Sequence, residues 1–599
     1  MNEFVPRCGA RWPLVLLALS FLGAAAAAQE PPFPRTYDLR WLAIAEPNLA
    51  PVWRRTPTDG DASASVEAVG DPHGSVDVRW LVNFLQQRLG AGFDDGLRGS
   101  RLELFDPGVL LATADAATHE RLAALLAQCR AFFAEQVVAE VHLLPGTALS
   151  GGNGLLRAAD AERVLGDAGA HPMFVGTATV GVPLLLQANR DQRYLRDYDT
   201  EVAQASQIPD PKIDVLRFGD GFRLVFEHGL DGRLFATVLG ATSRPESDPV
   251  VRPLRTVDQK GLHETSLVQL PRVAVQEQAT QALLGDGDAL LFGPSSGPNG
   301  APAAVWCVRV RRPHAAPAPA GEDWAVLPLA DLLARFRPQS TRHRWLALPG
   351  PREDDPTERS FVEDREDVRA RWLDAGNLAA ILRQSLQGEV HRSLQLDGTL
   401  LSVAAPPAEL AALRTRLDQL AVDCQRQVSV ELRWGRLDAK ATATWLDARA
   451  DIGELAGRLP DACLAASIVD GWFGISVGRE QSIVRDFEVE IAQEANTPNP
   501  IIEPLFTGFA VNGRVLPVDA ASYRLQVQFG FAELDGDVQT FDLKNERFGD
   551  IDLPRVRNLT FRMAPIVADN RWTLLQIAAL PGIDQHLVLV GRVRSQSGR

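Results

Sequence analysis

The chain has 599 residues, 46% hydrophobic and 23% charged, long enough for several domains with cores of their own. Its net charge of −15 argues against nucleic acid and against electrostatic docking on anionic lipid, since both require a basic footprint. Five cysteines without short spacing indicate neither a disulfide framework nor a cysteine-based zinc site.

Taken in order, Arg7 and Arg11 precede a short apolar run at residues 13–22 and an A-x-A segment at 24–28. This is the pattern of a secretory signal peptide, with cleavage expected after Ala28 and an exported mature chain. The run is too short to span a bilayer, and Cys8 precedes it, so it is no lipoprotein cysteine. Residues 37–44 (YDLRWLAI) are expected to form a first strand, 47–74 a loop, and 76–89 a helix. A strand at 101–105, an Asp-Pro-Gly turn, a strand at 109–113, a helix at 116–135 and a strand at 136–144 follow. The same order returns later: 394–396, an Asp-Gly turn, 399–403, a helix opened by Pro406 and Pro407, and an exit strand at 427–432. Cys129 and Cys424 fall on the apolar stripes of the two helices and read as small core hydrophobes; no pairing is indicated for them or for Cys307 and Cys463.

A β-rich region follows each module. Its clearest mark is a duplicated stretch, RDYDTEVAQASQIPDP at 196–211 and RDFEVEIAQEANTPNP at 485–500. Seven of sixteen positions are identical without a gap, against roughly one expected from average composition. Gly219 and Gly508 continue the register. Each copy alternates: Tyr198, Thr200, Val202 and Phe487, Val489, Ile491 on one face, and Asp197, Asp199, Glu201 and Asp486, Glu488, Glu490 on the other. The Pro-x-Pro after each is expected to end the ladder. Further on, LPRV occurs at both 270–273 and 553–556. Gly285-Asp286-Gly287 reads as a β-turn between two apolar strands, and 568–570 as another turn. Residues 313–321 (PHAAPAPAG) read as a semi-rigid linker.

The order of parts resembles the secretins, the outer-membrane channel proteins of bacterial secretion and pilus systems. The resemblance lies in Gly221 to Val225, Leu234 to Val238 and the run from Pro271 through Gly285-Asp286-Gly287 to Gly293. The strand and helix of residues 108–135 also look like a secretin ring module. It implies an α+β, β-rich fold in two degenerate tandem repeats, each a small α/β ring-type module followed by a larger antiparallel β domain. The expected boundaries are 1–28 signal peptide, 29–145 first module, 146–312 first β domain, 313–322 linker, 323–435 second module and 436–599 second β domain. It also implies a non-enzymatic protein of the periplasm or outer membrane, acting in secretion by self-association or by docking on other envelope proteins. The secretin gate-region segment is missing, and a doubled β domain is unusual for a channel subunit. Both motivate a second expectation, a monomeric periplasmic scaffold or binding protein with the same fold.

The acidic strand faces suit a solvated sheet face better than calcium, which needs oxygens converging from a loop. Arg196 and Arg485 suit cross-strand ion pairs. His142 and His228 sit singly in strands, and no histidine has metal-ligand spacing. G-x-S-x-G occurs around Ser295 and Ser476, but neither precedes a helix as a nucleophile elbow must. Asp286 and Asp288 belong to a turn. A third expectation, an extracellular hydrolase, would require a cleft of buried, perturbed carboxylates or histidines. No catalytic, cofactor-binding or metal site is assigned from the sequence.

Overall fold

The computed structural model describes residues 32–39, 78–89, 101–105, 108–151, 154–203, 206–257, 263–294, 305–333, 375–385, 394–445, 451–469, 471–492, 495–542 and 550–596. The expected signal segment and Ser295 lie outside the described residues. The chain divides into two units, residues 1–44 with 76–130 and residues 45–75 with 131–599.

The first unit holds β1 (Phe33–Asp38), α1 (Val78–Leu89), β2 (Arg101–Phe105), β3 (Val109–Ala114) and most of α2 (Ala116–Phe133). Central β3 pairs antiparallel with β1 and β2, and its Leu110, Ala112 and Ala114 alternate into the core. The first strand starts earlier than the expected 37–44, because Phe33 to Asp38 fill the whole length of β3. Pro34 is tolerated there, since β1 is an edge of this sheet. His119 holds the strand in place: Nδ1 lies 2.9 Å from the Tyr37 hydroxyl and Nε2 2.9 Å from the Phe33 carbonyl oxygen.

The second unit begins with β4 (Gln136–Leu144), β5 (Leu155–Leu156), α3 (Ala158–Asp167), β6 (Pro172–Thr179), β7 (Leu184–Ala203), β8 (Ser206–His228) and β9 (Leu234–Pro245). It continues with β10 (Val250–Val257), β11 (His263–Leu270), β12 (Arg272–Leu284), β13 (Ala289–Pro294) and β14 (Val305–Arg311). A small layer follows: β15 (Trp324–Pro328), α4 (Ala330–Leu333), α5 (Ala375–Ser385), β16 (Gln395–Asp397), β17 (Leu400–Ala404) and α6 (Pro407–Cys424). Next come β18 (Gln427–Asp438), α7 (Ala439–Trp445), α8 (Ile452–Arg458), β19 (Asp461–Ile468), β20 (Trp472–Ala492) and β21 (Ala495–Pro517). The chain closes with β22 (Ser522–Leu534), β23 (Gln539–Phe541), β24 (Ile551–Leu553), β25 (Val556–Met563), β26 (Ile566–Ala568), β27 (Thr573–Ala579) and β28 (Gln585–Gln596).

Two nine-stranded antiparallel sheets dominate this unit. One runs β25-β22-β21-β20-β12-β9-β8-β7, with β26 beside β22; the other runs β27-β28-β18-β19-β13-β14-β4-β6, with β5 beside β13. Their facing side chains interdigitate in two clusters. Phe222, Phe226, Phe292 and Trp306 centre the first, and Trp434, Phe473, Tyr523 and Phe529 the second. Gly240 keeps the first cluster closed, because a Cβ there would stand 2.8 Å from both Phe222 and Trp306. A separate three-stranded sheet, β15-β17-β16, packs with α4, α5 and α6 around Leu378, Leu401, Leu413 and Leu417.

Two turns act differently from expectation. Gly285-Asp286-Gly287 joins strands of different sheets, since β12 pairs with β9 and β20 whereas β13 pairs with β14, β5 and β19. It is a corner between layers and not a hairpin, and Gly287 at φ 78° supplies the reversal. The turn at Asp569 and Asn570 likewise passes from β26 in one sheet to β27 in the other, with Asn570 at φ 55°. The Pro/Ala stretch at 313–321 is also more fixed than a spacer. Glu135 Oε2 accepts the Ala316 amide at 3.2 Å, and Ala320 bridges to Ala325.

Among the described residues, no helix is long and apolar enough to cross a membrane.

Candidate functional site

The duplicated stretch builds two long hairpins, β7–β8 and β20–β21. Each stretch runs up one strand and returns down the next, so its Pro-x-Pro lies inside the ladder and does not end it: Thr200 faces Pro209, Tyr198 faces Pro211, Val489 faces Pro498 and Phe487 faces Pro500. Counting from the closing pairs Ala203–Ser206 and Ala492–Ala495, these prolines occupy the non-hydrogen-bonded positions of each hairpin. Their imide nitrogens therefore point away from the partner strand. That side carries no ladder with the next strand, because β8 pairs with β9 only from Gly219 onward and β21 with β22 only from Gly508 onward.

Both hairpins carry the same irregularities. The register slips between Leu195 and Asp197 and between Val484 and Asp486, leaving Arg196 and Arg485 as bulge residues. Gly219 at φ 148° and Gly508 at φ 146° share a conformation that only glycine holds easily; a Cβ would meet the Ala188 carbonyl oxygen at 2.0 Å or the Val477 carbonyl oxygen at 2.2 Å. Each bulge frees a backbone amide, and each is caught by a side chain from a small neighbouring hairpin. Gln269 Oε1 on β11 accepts from Leu195 at 2.8 Å, and Asp552 Oδ2 on β24 accepts from Val484 at 2.7 Å. Asp552 Oδ1 also takes the Arg252 guanidinium at 2.7 Å, joining β24 to β10 through a buried ion pair. These capping residues escaped sequence reasoning. The repeated LPRV immediately after each of them was the available signal.

The two large sheets are continuous across both halves of the chain. β12 pairs with β20 from Arg272↔Gln481 to Ala279↔Gly474, and β13 pairs with β19 through Gly293↔Leu464 and Pro294↔Cys463. This joint is lined with buried polar groups. The Thr280 hydroxyl donates to the Ala466 carbonyl oxygen, Gln427 exchanges two hydrogen bonds with Leu283, and the Gly154 amide donates to Ser429 Oγ at 2.8 Å. Arg479 pairs with Glu246 across it. At the outer ends stand β7 and β25 in one sheet, β6 and β27 in the other.

Residues singled out in the sequence take these places. Arg485 makes a cross-strand ion pair with Glu503, half exposed and so worth little; Arg196 is half-buried. Asp486 is exposed, whereas the side chains of Asp197, Asp199, Glu201, Glu488 and Glu490 lie outside those described. Ser476 sits inside β20, with no helix after it. Asp288 is consumed structurally: its carboxylate accepts the Gly285 and Ala158 amides and pairs with Arg157 at 2.8 Å. His142 is buried 3.6 Å from Glu140. His228 stacks on Phe132 with centroids 3.9 Å apart, and its Nε2 lies 3.2 Å from the Phe132 carbonyl oxygen. Burial pushes its pKa down to about 4, against the opposing pull of nearby Glu135. Burial likewise raises the Asp331 carboxyl, which accepts from Gln425 at 2.5 Å and from the Leu230 amide at 3.2 Å. All four described cysteines are buried thiols outside any disulfide, and burial pushes the Cys129 and Cys307 thiols up to about 12. Among the described residues, no His, Cys, Asp and Glu side chains cluster as a metal site would require.

No protein-family model matches the sequence, and no curated protein matches it. Solved structures with partial similarity include the type II secretion secretin XcpQ of Pseudomonas aeruginosa, at 13% identity and TM-score 0.19, covering 41% of this chain and 81% of that one. Aeromonas hydrophila ExeD is 11% identical with TM-score 0.18, covering 88% and 89%. The V. cholerae type IV competence pilus secretin PilQ is 11% identical with TM-score 0.17, covering 40% and 81%. At such TM-scores these overlaps establish neither fold nor function for this chain.

Proposed function

We propose that this chain is an exported, non-enzymatic envelope protein of bacterial secretion, built as two degenerate tandem secretin-like copies and acting by self-assembly. In this reading the boundaries are a signal peptide to Ala28, modules at 29–145 and 323–435, and β domains at 146–312 and 436–599, with the linker at 313–322 between halves. The observation that carries it is the direction of the two sheets. Each half adds four strands to each sheet in the same order, β7-β8-β9-β12 then β20-β21-β22-β25, and β13-β14-β4-β6 beside β27-β28-β18-β19. Halves that add head to tail consume one joint and leave an equivalent pair of edges outside, the geometry from which rings and filaments grow. The chemistry fits a structural role: Gln427 and Leu283 exchange hydrogen bonds at the joint, and the prominent carboxylates cap amides or hold guanidinium groups.

A monomeric periplasmic scaffold is the second reading, favoured by the same joint, because one pairing surface is already satisfied within the chain. The mass of residues 29–599, measured by light scattering in buffer and again in mild detergent, separates the two. A discrete species of several chains in either solvent is expected; one chain mass in both would leave the scaffold.

A further inference from the structure

The β7–β8 hairpin parts from β9 at Gly219, where the β8–β9 ladder begins, and a cleft of about 500 Å³ lies at this fork. That volume is in the range of small-molecule sites. Arg190 on β7 stands opposite Phe218 on β8. One step beyond the terminal β8–β9 pair, Gly219↔Ser243, Arg244 comes level with Phe218 from the other side. Residues opposite one another across an antiparallel ladder share a face, so the two arginines flank the phenylalanine. Ala188, Gly219 and Pro245 complete a largely carbon lining, to which Gln192 adds an amide.

We infer that this cleft binds a small monocarboxylic acid, with the carboxylate held by Arg190 and Arg244 and the acyl or aryl body laid against Phe218. The site is built by one chain and does not depend on the assembly proposed above.

Its charge selects the ligand. Arg244 donates from Nη2 to both oxygens of Asp220, at 2.7 and 2.6 Å, and from Nη1 to the Ser243 carbonyl oxygen at 3.0 Å. Half of its side chain remains exposed. Arg190 is exposed, and among the described residues no acid pairs with it. Two guanidinium groups against one carboxylate leave a single positive charge in a chain whose net charge is −15. A monoanion balances that charge, whereas a phosphate dianion beside Asp220 would overbalance it. A guanidinium also matches the two flat oxygens of a carboxylate.

The second half of the chain shows what this position takes. Arg479 is the counterpart of Arg190 at the 289-residue displacement of the repeat, and it holds the Glu246 carboxylate, which arrives from the other half. Val477 and Gln481, the counterparts of Ala188 and Gln192, are buried there, whereas Ala188 is exposed. The first hairpin thus keeps the arginine and leaves room in front of it.

The floor accounts for the body of the ligand. Phe218 is buried, and Gly219 beside it brings no side chain into the cleft. An apolar floor with a few placed polar groups orients a small ligand by its charged end.

The test uses 4-fluorobenzoate as probe, followed by fluorine NMR line broadening with the chain of residues 29–599. The expected Kd is about 1–10 mM, ordinary for about ten non-hydrogen atoms. The neutral isostere 4-fluorobenzamide should bind about tenfold more weakly, and so should the acid to Arg190→Gln, since each change removes one charge-assisted contact. Ala188→Trp, which fills the cleft without touching either arginine, should abolish binding. Inorganic phosphate should compete at least tenfold less well than unlabelled benzoate. No saturable binding would overturn the site, and so would binding that neither variant changes. Equal affinity for the amide, or equal competition by phosphate, would overturn its selectivity for a monocarboxylate.

Discussion

Replacing Asp552 by alanine should cost about 3–5 kcal/mol of folding stability, the range expected when one partner of a buried ion pair is removed. The carboxylate is almost fully buried and serves two groups, the Arg252 guanidinium and the Val484 amide freed by the bulge. Arg252 is itself largely buried, and its Nη1 already lacks a hydrogen-bond partner. Without Asp552 it would keep its charge largely buried, opposite Val268 on β11, without the carboxylate that now pairs with it. The counterpart Gln269 caps the Leu195 amide as a neutral acceptor. Gln269→Ala should therefore cost only about 1–2 kcal/mol, one amide left unsatisfied. Denaturant unfolding of the two variants checks the contrast. A cost below 1 kcal/mol for Asp552→Ala would mean that β24 does not hold the bulge.

Acid should weaken the fold through His228. Burial holds its folded-state pKa near 4, against about 6.5 in the unfolded chain. Between those values the unfolded chain binds the proton and the folded chain does not, so stability falls as pH falls. The loss between pH 7 and pH 4.5 is about 2–3 kcal/mol from this group alone. Protonation would place a cation against the Phe132 ring, close to the Arg312 guanidinium, with buried Glu135 as partial compensation. Stability measured at several pH values should therefore decline more steeply for the parent than for His228→Gln, by about that amount. Parallel curves would show that the imidazole is not held neutral.

What the sequence made legible was local. Alternation and turn residues located β2, β3 and β4 within a residue of their ends, and the repeat at Arg196 and Arg485 marked both long hairpins. Partners were not legible, because alternation reports which face a strand buries and not which strand lies beside it. For that reason Gly285-Asp286-Gly287 read as a hairpin turn when it is a corner between sheets. The prolines of the repeat read as terminators for a related reason. A proline is excluded from a ladder only where its nitrogen faces a paired strand, and Pro209, Pro211, Pro498 and Pro500 lie before the β9 and β22 ladders begin. The bulge caps were hidden because Gln269 and Asp552 lie far in sequence from the amides they serve.

Strands β12 and β20, one from each half, are neighbours inside one sheet. Amide hydrogen exchange reads this directly on the monomeric chain. The amides of residues 272–279 and 474–481 should be as protected as those of β8 and β9, opening only when the domain unfolds, whereas residues 185–191 of the outer strand β7 should include freely exchanging amides. Free exchange along both β12 and β20 at this stretch would mean that the halves are separate domains, and the continuous sheet would be contradicted.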